Sequence, residues 1–163
     1  SAHLKKLIQS RILVCEGRGR EKHFRLASGE VAEAVEALSE IGGGPLPRGA
    51  GELRFARCCY DHLAGQLGVA VTERLLRPGN AILGDLGTDL AAHEASRRPL
   101  FRCCTDWTER RPHIAGTLGA ELLKHYKQEG WLRTVEESRK LVVTSRGREQ
   151  FIRVLGVEAA IFF

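Results

Sequence analysis

Apolar and polar positions in the first 41 residues predict a helix, a hairpin and a second helix. The first ten residues place apolar side chains at helical spacing and polar ones opposite, so a short amphipathic helix is already under way at residue 1. The runs 12–15 and 22–26 flank a glycine-bearing turn and predict two paired strands. Ser28 is placed to cap the next helix, whose narrow apolar stripe needs a partner helix: Val31, Val35, Leu38 and Ile41.

The segment 42–51 is rich in glycine and proline. Glycine loses much backbone entropy in a regular element and proline lacks an N–H donor, so this segment is predicted to be neither helix nor central strand. We therefore expect a linker at 42–51 between a partial domain over residues 1–41 and a second domain over residues 52–163.

The second domain repeats itself along the chain. The stretch 55–68, with Cys58-Cys59 and His62, is echoed by 101–107 and 113–119, with Cys103-Cys104 and His113, which predicts an internal duplication. The second copy continues into a hairpin over 131–143 and a last helix capped by Thr144. Small residues in both copies predict close packing of one repeat on the other: Ala64, Gly65, Gly68, Ala70, Ala115, Gly116, Gly119 and Ala120.

The first copy lacks the hairpin part of the second. We expect that the numbering joins, near Gly79-Asn80, residues that are not adjacent in the complete protein. We also expect that further helices precede residue 1, because the pattern opens within a helix.

Composition narrows the class of protein. The 163 residues suffice for one large or two small domains, and 25 Lys+Arg against 20 Asp+Glu give a net charge of +5 that suits a polyanionic partner. No apolar run approaches the ~20 residues of a membrane span and no secretory leader is visible, so a soluble protein is expected. Four of the five cysteines form vicinal pairs, which favours reduced thiols in a cytosol over a disulfide framework.

Several of these stretches resemble one family. The first helix, the hairpin ending in Phe24-Arg25-Leu26-Ala27 and the helix after Val31 resemble the recognition helix, wing and dimerisation helix of ArsR-type winged-helix regulators. The runs 59–65 and 106–113 resemble a subgroup with an appended C-terminal repeat domain. The resemblance implies a cytoplasmic bacterial regulator that represses transcription as a homodimer on double-stranded operator DNA and is released by an unknown small-molecule or metal inducer. The implied fold is α+β, mainly α: an N-terminally truncated winged helix-turn-helix and a duplicated, winged-helix-like C-terminal half.

The chemistry of the first helix agrees with this expectation. A recognition helix turns polar donors toward base edges and an apolar back toward its own domain, while a cationic wing tip contacts phosphates or the minor groove. The expected DNA-binding residues are Ser1, His3, Lys5, Lys6, Gln9, Arg18, Arg20 and Lys22. Two half-sites call for a dimer, and its expected interface is the stripe Val31, Val35, Leu38 and Ile41; the alternative is that this stripe packs on the second domain.

Cysteine and histidine raise the question of a metal sensor. If residues 58–62 are helical, Cys58 or Cys59 shares a face with His62, but one helix cannot complete a tetrahedral soft-metal site. The remaining ligands would come from the second repeat, so the candidate set is Cys58, Cys59, His62, Cys104, Asp106 and His113. Against a metal, cysteines are commonly buried for packing. The dimer helix also offers only glutamates where the resemblance implies His and Asp ligands in metal-sensing relatives.

We therefore predict no metal and no cofactor. The thiols and imidazoles are expected not to converge, the cysteines to be largely buried, and the two repeats to be held by polar contacts of Asp61, His62, Asp106 and Arg110. A redox role for a vicinal cysteine pair is the other alternative.

Two further function classes compete with a DNA-binding regulator. A winged-helix module for protein interaction or ligand sensing would need no DNA, but it gives no reason for cations on both the first helix and the hairpin tip. An enzyme is not expected, because no phosphate loop, nucleophile elbow or complete metal motif accompanies the Asp and His residues.

Overall fold

The computed structural model describes residues 1–18, 21–41, 50–78 and 99–163. The chain divides into two compact units, unit 1 over residues 1–43 and unit 2 over residues 44–163. The expected join near Gly79-Asn80 lies outside the described residues, as do residues 42–49 of the expected linker.

Unit 1 is a helix, a hairpin and a helix, as its polarity pattern predicts. Ser1 caps the first helix through a hydrogen bond from the Leu4 N–H to its Oγ at 3.4 Å, and Ser28 accepts one from the Val31 N–H at 3.4 Å. The strands are antiparallel, with Leu13 opposite Leu26. The elements are α1 (Ala2–Gln9), β1 (Leu13–Arg18), β2 (Glu21–Leu26) and α2 (Gly29–Ile41).

Unit 2 contains three described antiparallel hairpins and the helices that pack on them. Its last hairpin and its last helix lie where the sequence predicts them, and the Thr144 side chain caps that helix by accepting from the Gly147 N–H at 2.9 Å. The elements are α3 (Ala50–Arg54), β3 (Arg57–Cys59), β4 (His62–Ala64), α4 (Gln66–Leu75), β5 (Arg102–Thr105), β6 (Pro112–Ala115), α5 (Gly116–Gln128), β7 (Leu132–Thr134), β8 (Leu141–Val143), α6 (Ser145–Arg153) and a 3-10 turn (Ala159–Phe162).

The core of unit 2 is built around three aromatic rings. Tyr126 stacks on Trp131 with ring centroids 5.2 Å apart, and Phe151 meets both rings edge-on. Aliphatic residues of α4, α5 and β7 continue this cluster. Each of the first two hairpins is therefore backed by a buried helix face, which fixes the positions of its strands.

Two local features differ from the sequence-based interpretation. Residues 50 and 51 belong to α3 although they fall within the predicted linker, because Ala50 favours helix and the Cβ position of Gly51 faces open space. Residues 57–59 form a strand, so the helical spacing considered for the cysteines and His62 does not apply.

The packing of one repeat on the other agrees with the prediction, and each helix makes it through a strand. Helix α4 packs against β6 and helix α5 packs against β4, so each helix lies on a strand of the other hairpin. A Cβ on Gly119 of α5 would lie 2.6 Å from the Ile114 carbonyl oxygen and 3.1 Å from the His62 Cβ. Glycine at 119 is thus required for the helix to approach the two hairpins closely.

Candidate functional site

A polar, cationic surface covers α1. Of its eight residues none is buried, and the predicted contacts on it are all exposed: Ser1, His3, Lys5, Lys6 and Gln9. On the hairpin, Lys22 is exposed, whereas Arg25 is held by Glu16 through a hydrogen bond of 2.7 Å from its Nε. The Arg18 side chain and all of Arg20 lie outside the described residues. These residues remain the predicted DNA contacts.

The stripe of α2 is largely uncovered. Val31 is half-buried, but Val35, Leu38 and Ile41 are 42%, 67% and 82% exposed. Exposed apolar side chains in one row along a helix are typical of a surface that another chain covers. The predicted dimer interface is thus accessible and stays a prediction.

The structure brings together four thiol and imidazole groups in unit 2. Cys59 pairs with His62 across the β3–β4 hairpin, and Cys104 pairs with His113 across the β5–β6 hairpin. One ligand atom from each of these residues lies within 4.8 Å of every other. The expectation that the thiols and imidazoles do not converge is therefore wrong, and we call these four residues the Cys/His cluster.

The two imidazoles form the centre of the cluster. Their Nε2 atoms lie 3.1 Å apart, and the rings stack with an interplanar angle of 28°. His62 and His113 are 1% and 0% exposed, and Cys104 is 2% exposed, while Cys59 is half-buried. The cluster is thus almost closed to solvent.

The other cysteines lie outside the cluster. Cys58 and Cys103 precede the cluster cysteines on the same strands, and successive side chains of a strand point to opposite faces. Cys58 is half-buried, while Cys103 and Cys15 are exposed. The prediction of largely buried cysteines is wrong, because only Cys104 is fully buried.

Burial and hydrogen bonding shift the thiol pKa values in opposite directions. Burial raises the pKa of Cys58. The pKa of Cys59 lies far below its ordinary value, because hydrogen bonds from Cys104 and then from the two histidines favour the thiolate and outweigh the opposing effect of burial. Cys59 is therefore the thiol of the cluster best suited to carry a negative charge.

Asp106 joins the two hairpins through a buried ion pair. Its Oδ2 accepts hydrogen bonds from Arg57 Nη2 at 2.7 Å and from the Gly65 N–H at 2.6 Å. Its Oδ1 accepts from the Thr108 hydroxyl at 2.6 Å and from the N–H groups of Thr108 and Glu109 at 2.9 and 3.1 Å. The side chains of Asp106 and Arg57 are both 0% exposed. The carboxylate thus fixes one hairpin against the other.

This arrangement keeps Asp106 ionised. Burial alone would raise the pKa of Asp106, but the hydrogen bonds from Thr108, Arg57 and Gly65 hold it well below its usual range. Arg57 also stacks on Trp107, with its guanidinium carbon 4.6 Å from the ring centroid.

His62 and Asp106 make the polar contacts that were predicted to hold the two repeats together. His62 contacts His113, and Asp106 contacts Arg57 and Gly65. Asp61 contacts the neighbouring His62, and the Arg110 N–H donates to the Asp106 carbonyl within one loop.

Sequence reasoning missed Arg57 and the way in which the cluster forms. Tyr60 has a positive φ of 57°, and the short turn at residues 60–61 places Cys59 opposite His62. In both copies a turn separates the Cys from the His, and this is the sequence feature that could have indicated a hairpin.

Comparison with known proteins places the chain in a family. The helix, hairpin and helix of unit 1 are compatible with part of a winged helix. Winged helices are one class of helix-turn-helix protein. The chain is 33% identical over 179 residues to the uncharacterized HTH-type transcriptional regulator YdfF of Bacillus subtilis (strain 168), covering 97% of this chain and 79% of that protein. The chain belongs to the HTH-type transcriptional regulators. No family model and no solved structure matches it. Within the described residues, no helix combines the length and apolar character needed to cross a bilayer.

Proposed function

We propose that the protein is an ArsR-type repressor that binds double-stranded operator DNA as a homodimer in the bacterial cytoplasm. Unit 1 supplies the DNA-binding and dimerisation surfaces, and unit 2 is the appended domain, built by an internal duplication. An inducer, a small molecule or a metal, releases the DNA. The relative's description as an HTH-type transcriptional regulator supports the general function.

The observation that carries the proposal is the exposed face of α1. Lys5 and Lys6 are exposed, and neither lies at salt-bridge distance from a carboxylate of the described residues. A helix that offers lysine, histidine, serine and glutamine side chains on one surface supplies donors for both phosphates and base edges. Lys22 on the adjoining hairpin extends the same charge.

The α2 stripe supports the dimer. A two-fold symmetric dimer places the same patch of both protomers in contact, so an exposed apolar row is self-complementary. Leu38 and Ile41 are the most exposed members of that row and would be the most fully covered by a partner helix.

The salt dependence of DNA binding tests the proposal. A duplex selected by the protein from a random-sequence pool is titrated by fluorescence anisotropy at several KCl concentrations. Each neutralised phosphate contributes about 0.9 to the slope of log affinity against log salt. The Lys5→Ala/Lys6→Ala double variant removes two cations from each protomer, so the slope is expected to fall by up to about 3.6.

A matched control separates contact from net charge. Lys124 and Lys127 of α5 are exposed, and their double alanine variant removes the same charge from unit 2. We expect its slope to stay near that of the unaltered protein. Equal slopes for all three proteins would refute α1 as the DNA contact, and failure to select any duplex from the pool would favour a module that works without DNA.

A further inference from the structure

We propose that the Cys/His cluster, formed by Cys59, His62, Cys104 and His113, binds one Zn²⁺ ion in four-coordinate, tetrahedral geometry. The ion would tie the β3–β4 hairpin to the β5–β6 hairpin. This site lies wholly within unit 2 and does not depend on the proposed DNA contacts of unit 1.

The distances suit a tetrahedral ion. Zinc lies about 2.3 Å from a thiolate sulfur and about 2.0–2.1 Å from an imidazole nitrogen. At the tetrahedral angle, two nitrogen ligands are then about 3.3–3.4 Å apart and two sulfur ligands about 3.8 Å apart. The two Nε2 atoms lie 3.1 Å apart, and all ligand atoms lie within 4.8 Å of one another. Because no two ligand atoms are more than 4.8 Å apart, contractions of at most about 1 Å bring them to tetrahedral spacing around one central point.

The ligand set selects the class of ion. Two thiolates and two imidazoles are the donors of structural zinc sites, whereas Mg²⁺ and Ca²⁺ require oxygen ligands. Each hairpin supplies one thiol and one imidazole from directly opposed strand positions. Neither hairpin alone completes the set, so binding requires both to be folded and docked.

A carboxylate lies near the Nδ1 atom of each imidazole. Metal-ligating histidines usually have such a group beside the ring nitrogen that does not bind the metal. Asp61 Oδ1 lies 3.3 Å from the Nδ1 of His62. Asp106 Oδ2 lies 4.0 Å from the Nδ1 of His113, which is buried and has no hydrogen-bond partner among the described residues. A proton held on the His62 Nδ1 by Asp61 leaves the Nε2 lone pair of that ring directed into the cluster.

The surroundings hold the ligands in place. Gly119 lets α5 lie against His62, since a Cβ there would be 3.1 Å from the His62 Cβ. The ion pair of Asp106 with Arg57 fixes the same two hairpins beside the cluster. A site positioned by these independent contacts is organised before the ion arrives.

Zinc content and cobalt spectroscopy test the proposal. The full chain is purified under reducing conditions, stripped with a chelator, equilibrated with Zn²⁺, freed of excess metal and analysed by mass spectrometry for bound metal. We expect one Zn²⁺ per chain. With Co²⁺ instead, we expect the intense visible bands of a tetrahedral ion and the ultraviolet charge-transfer band of thiolate ligation.

The chain contains its own matched controls. Cys58→Ser and Cys103→Ser alter neighbouring thiols on the same strands, on the opposite face. We expect both to retain the ion and the cobalt spectrum, while Cys59→Ser and Cys104→Ser lose them. Equal loss in all four variants, or equal retention, would overturn the assignment.

A second measurement does not require any variant to fold. Zn²⁺ is added to the unaltered protein, and its five thiols are titrated with a chromogenic disulfide reagent. We expect Zn²⁺ to slow the reaction of two thiols, which peptide mapping then identifies as Cys59 and Cys104. The proposal is wrong if the unaltered protein takes up no Zn²⁺ or if zinc protects neither of these thiols.

Discussion

Replacing Asp106 with Asn tests whether the buried ion pair holds the two hairpins of unit 2 together. The change keeps the shape of the side chain but removes its charge, so the guanidinium of Arg57 stays buried without its counter-ion. Both side chains are 0% exposed, and no solvent compensates for the loss. Breaking such a pair by removing one partner costs about 3–5 kcal/mol.

The hydrogen bonds of Asp106 increase the expected loss. Its two oxygens accept from Arg57, Gly65, Thr108 and Glu109, and every one of these contacts needs an acceptor. In the Asp106→Asn variant an NH₂ group replaces one of the two carboxylate oxygens. This NH₂ group is a donor and faces groups that are themselves donors. A buried donor without a partner adds about 1–3 kcal/mol, so the upper part of the 3–5 kcal/mol range is expected.

Urea denaturation followed by tryptophan fluorescence measures the effect. Both tryptophans, Trp107 and Trp131, lie in unit 2, so the signal reports on that unit alone. We expect a lower transition midpoint with an unchanged slope in urea. Arg146→Ala is the control, because its pair with Glu129 is exposed by 62% and 45% and should contribute less than about 1 kcal/mol. A loss below about 1 kcal/mol for Asp106→Asn would refute the reasoning.

Two further predictions concern the α2 stripe and the last helix. Leu38→Glu places a charge in the proposed interface of both protomers. We expect the free energy of dimerisation to weaken by about 2.7 kcal/mol or more, which analytical ultracentrifugation would detect as an at least 100-fold weaker dimer. Val142→Glu, at an exposed apolar position of unit 2, should leave the dimer intact, and a dimeric Leu38→Glu variant would refute the interface. Thr144→Ala removes the cap of α6 and should lower the free energy of unfolding of unit 2 by about 1 kcal/mol in the same urea assay. Thr144→Ser keeps the hydroxyl and should restore most of it, so equal losses would contradict a capping role.

The sequence pattern was sufficient for elements that local signals define. The hairpin of unit 1, the caps at Ser28 and Thr144, and the last hairpin all depend on polarity alternation, glycine turns or a hydroxyl before a helix. These signals act over a few residues, so they can be read without knowing the tertiary contacts.

The cluster depended on contacts that local patterns do not encode. The sequence separation of Cys59 and His62 is compatible with a helix or with a hairpin. Only a hairpin places the two residues opposite each other on neighbouring strands. A Cβ on Gly68 would lie 2.6 Å from the Leu63 carbonyl oxygen, and one on Gly65 would lie 2.5 Å from the Arg54 carbonyl oxygen, so both glycines allow a close backbone approach. The sequence does not distinguish Arg57, because nothing local marks one of 25 lysines and arginines as buried.

The number of ligands in the Cys/His cluster, and their location in unit 2, indicate what kind of metal site it can be. Catalytic zinc sites keep an open coordination position, whereas four protein ligands leave none, which is the arrangement of structural sites. A sensor must bind its effector with different affinity in the two functional states, because an ion bound equally in both shifts nothing. All four ligands belong to unit 2, and their two hairpins are also joined by Arg57 and Asp106. We therefore infer that the ion stabilises the docking of the hairpins. On the proposed function, release of the DNA then requires a separate inducer.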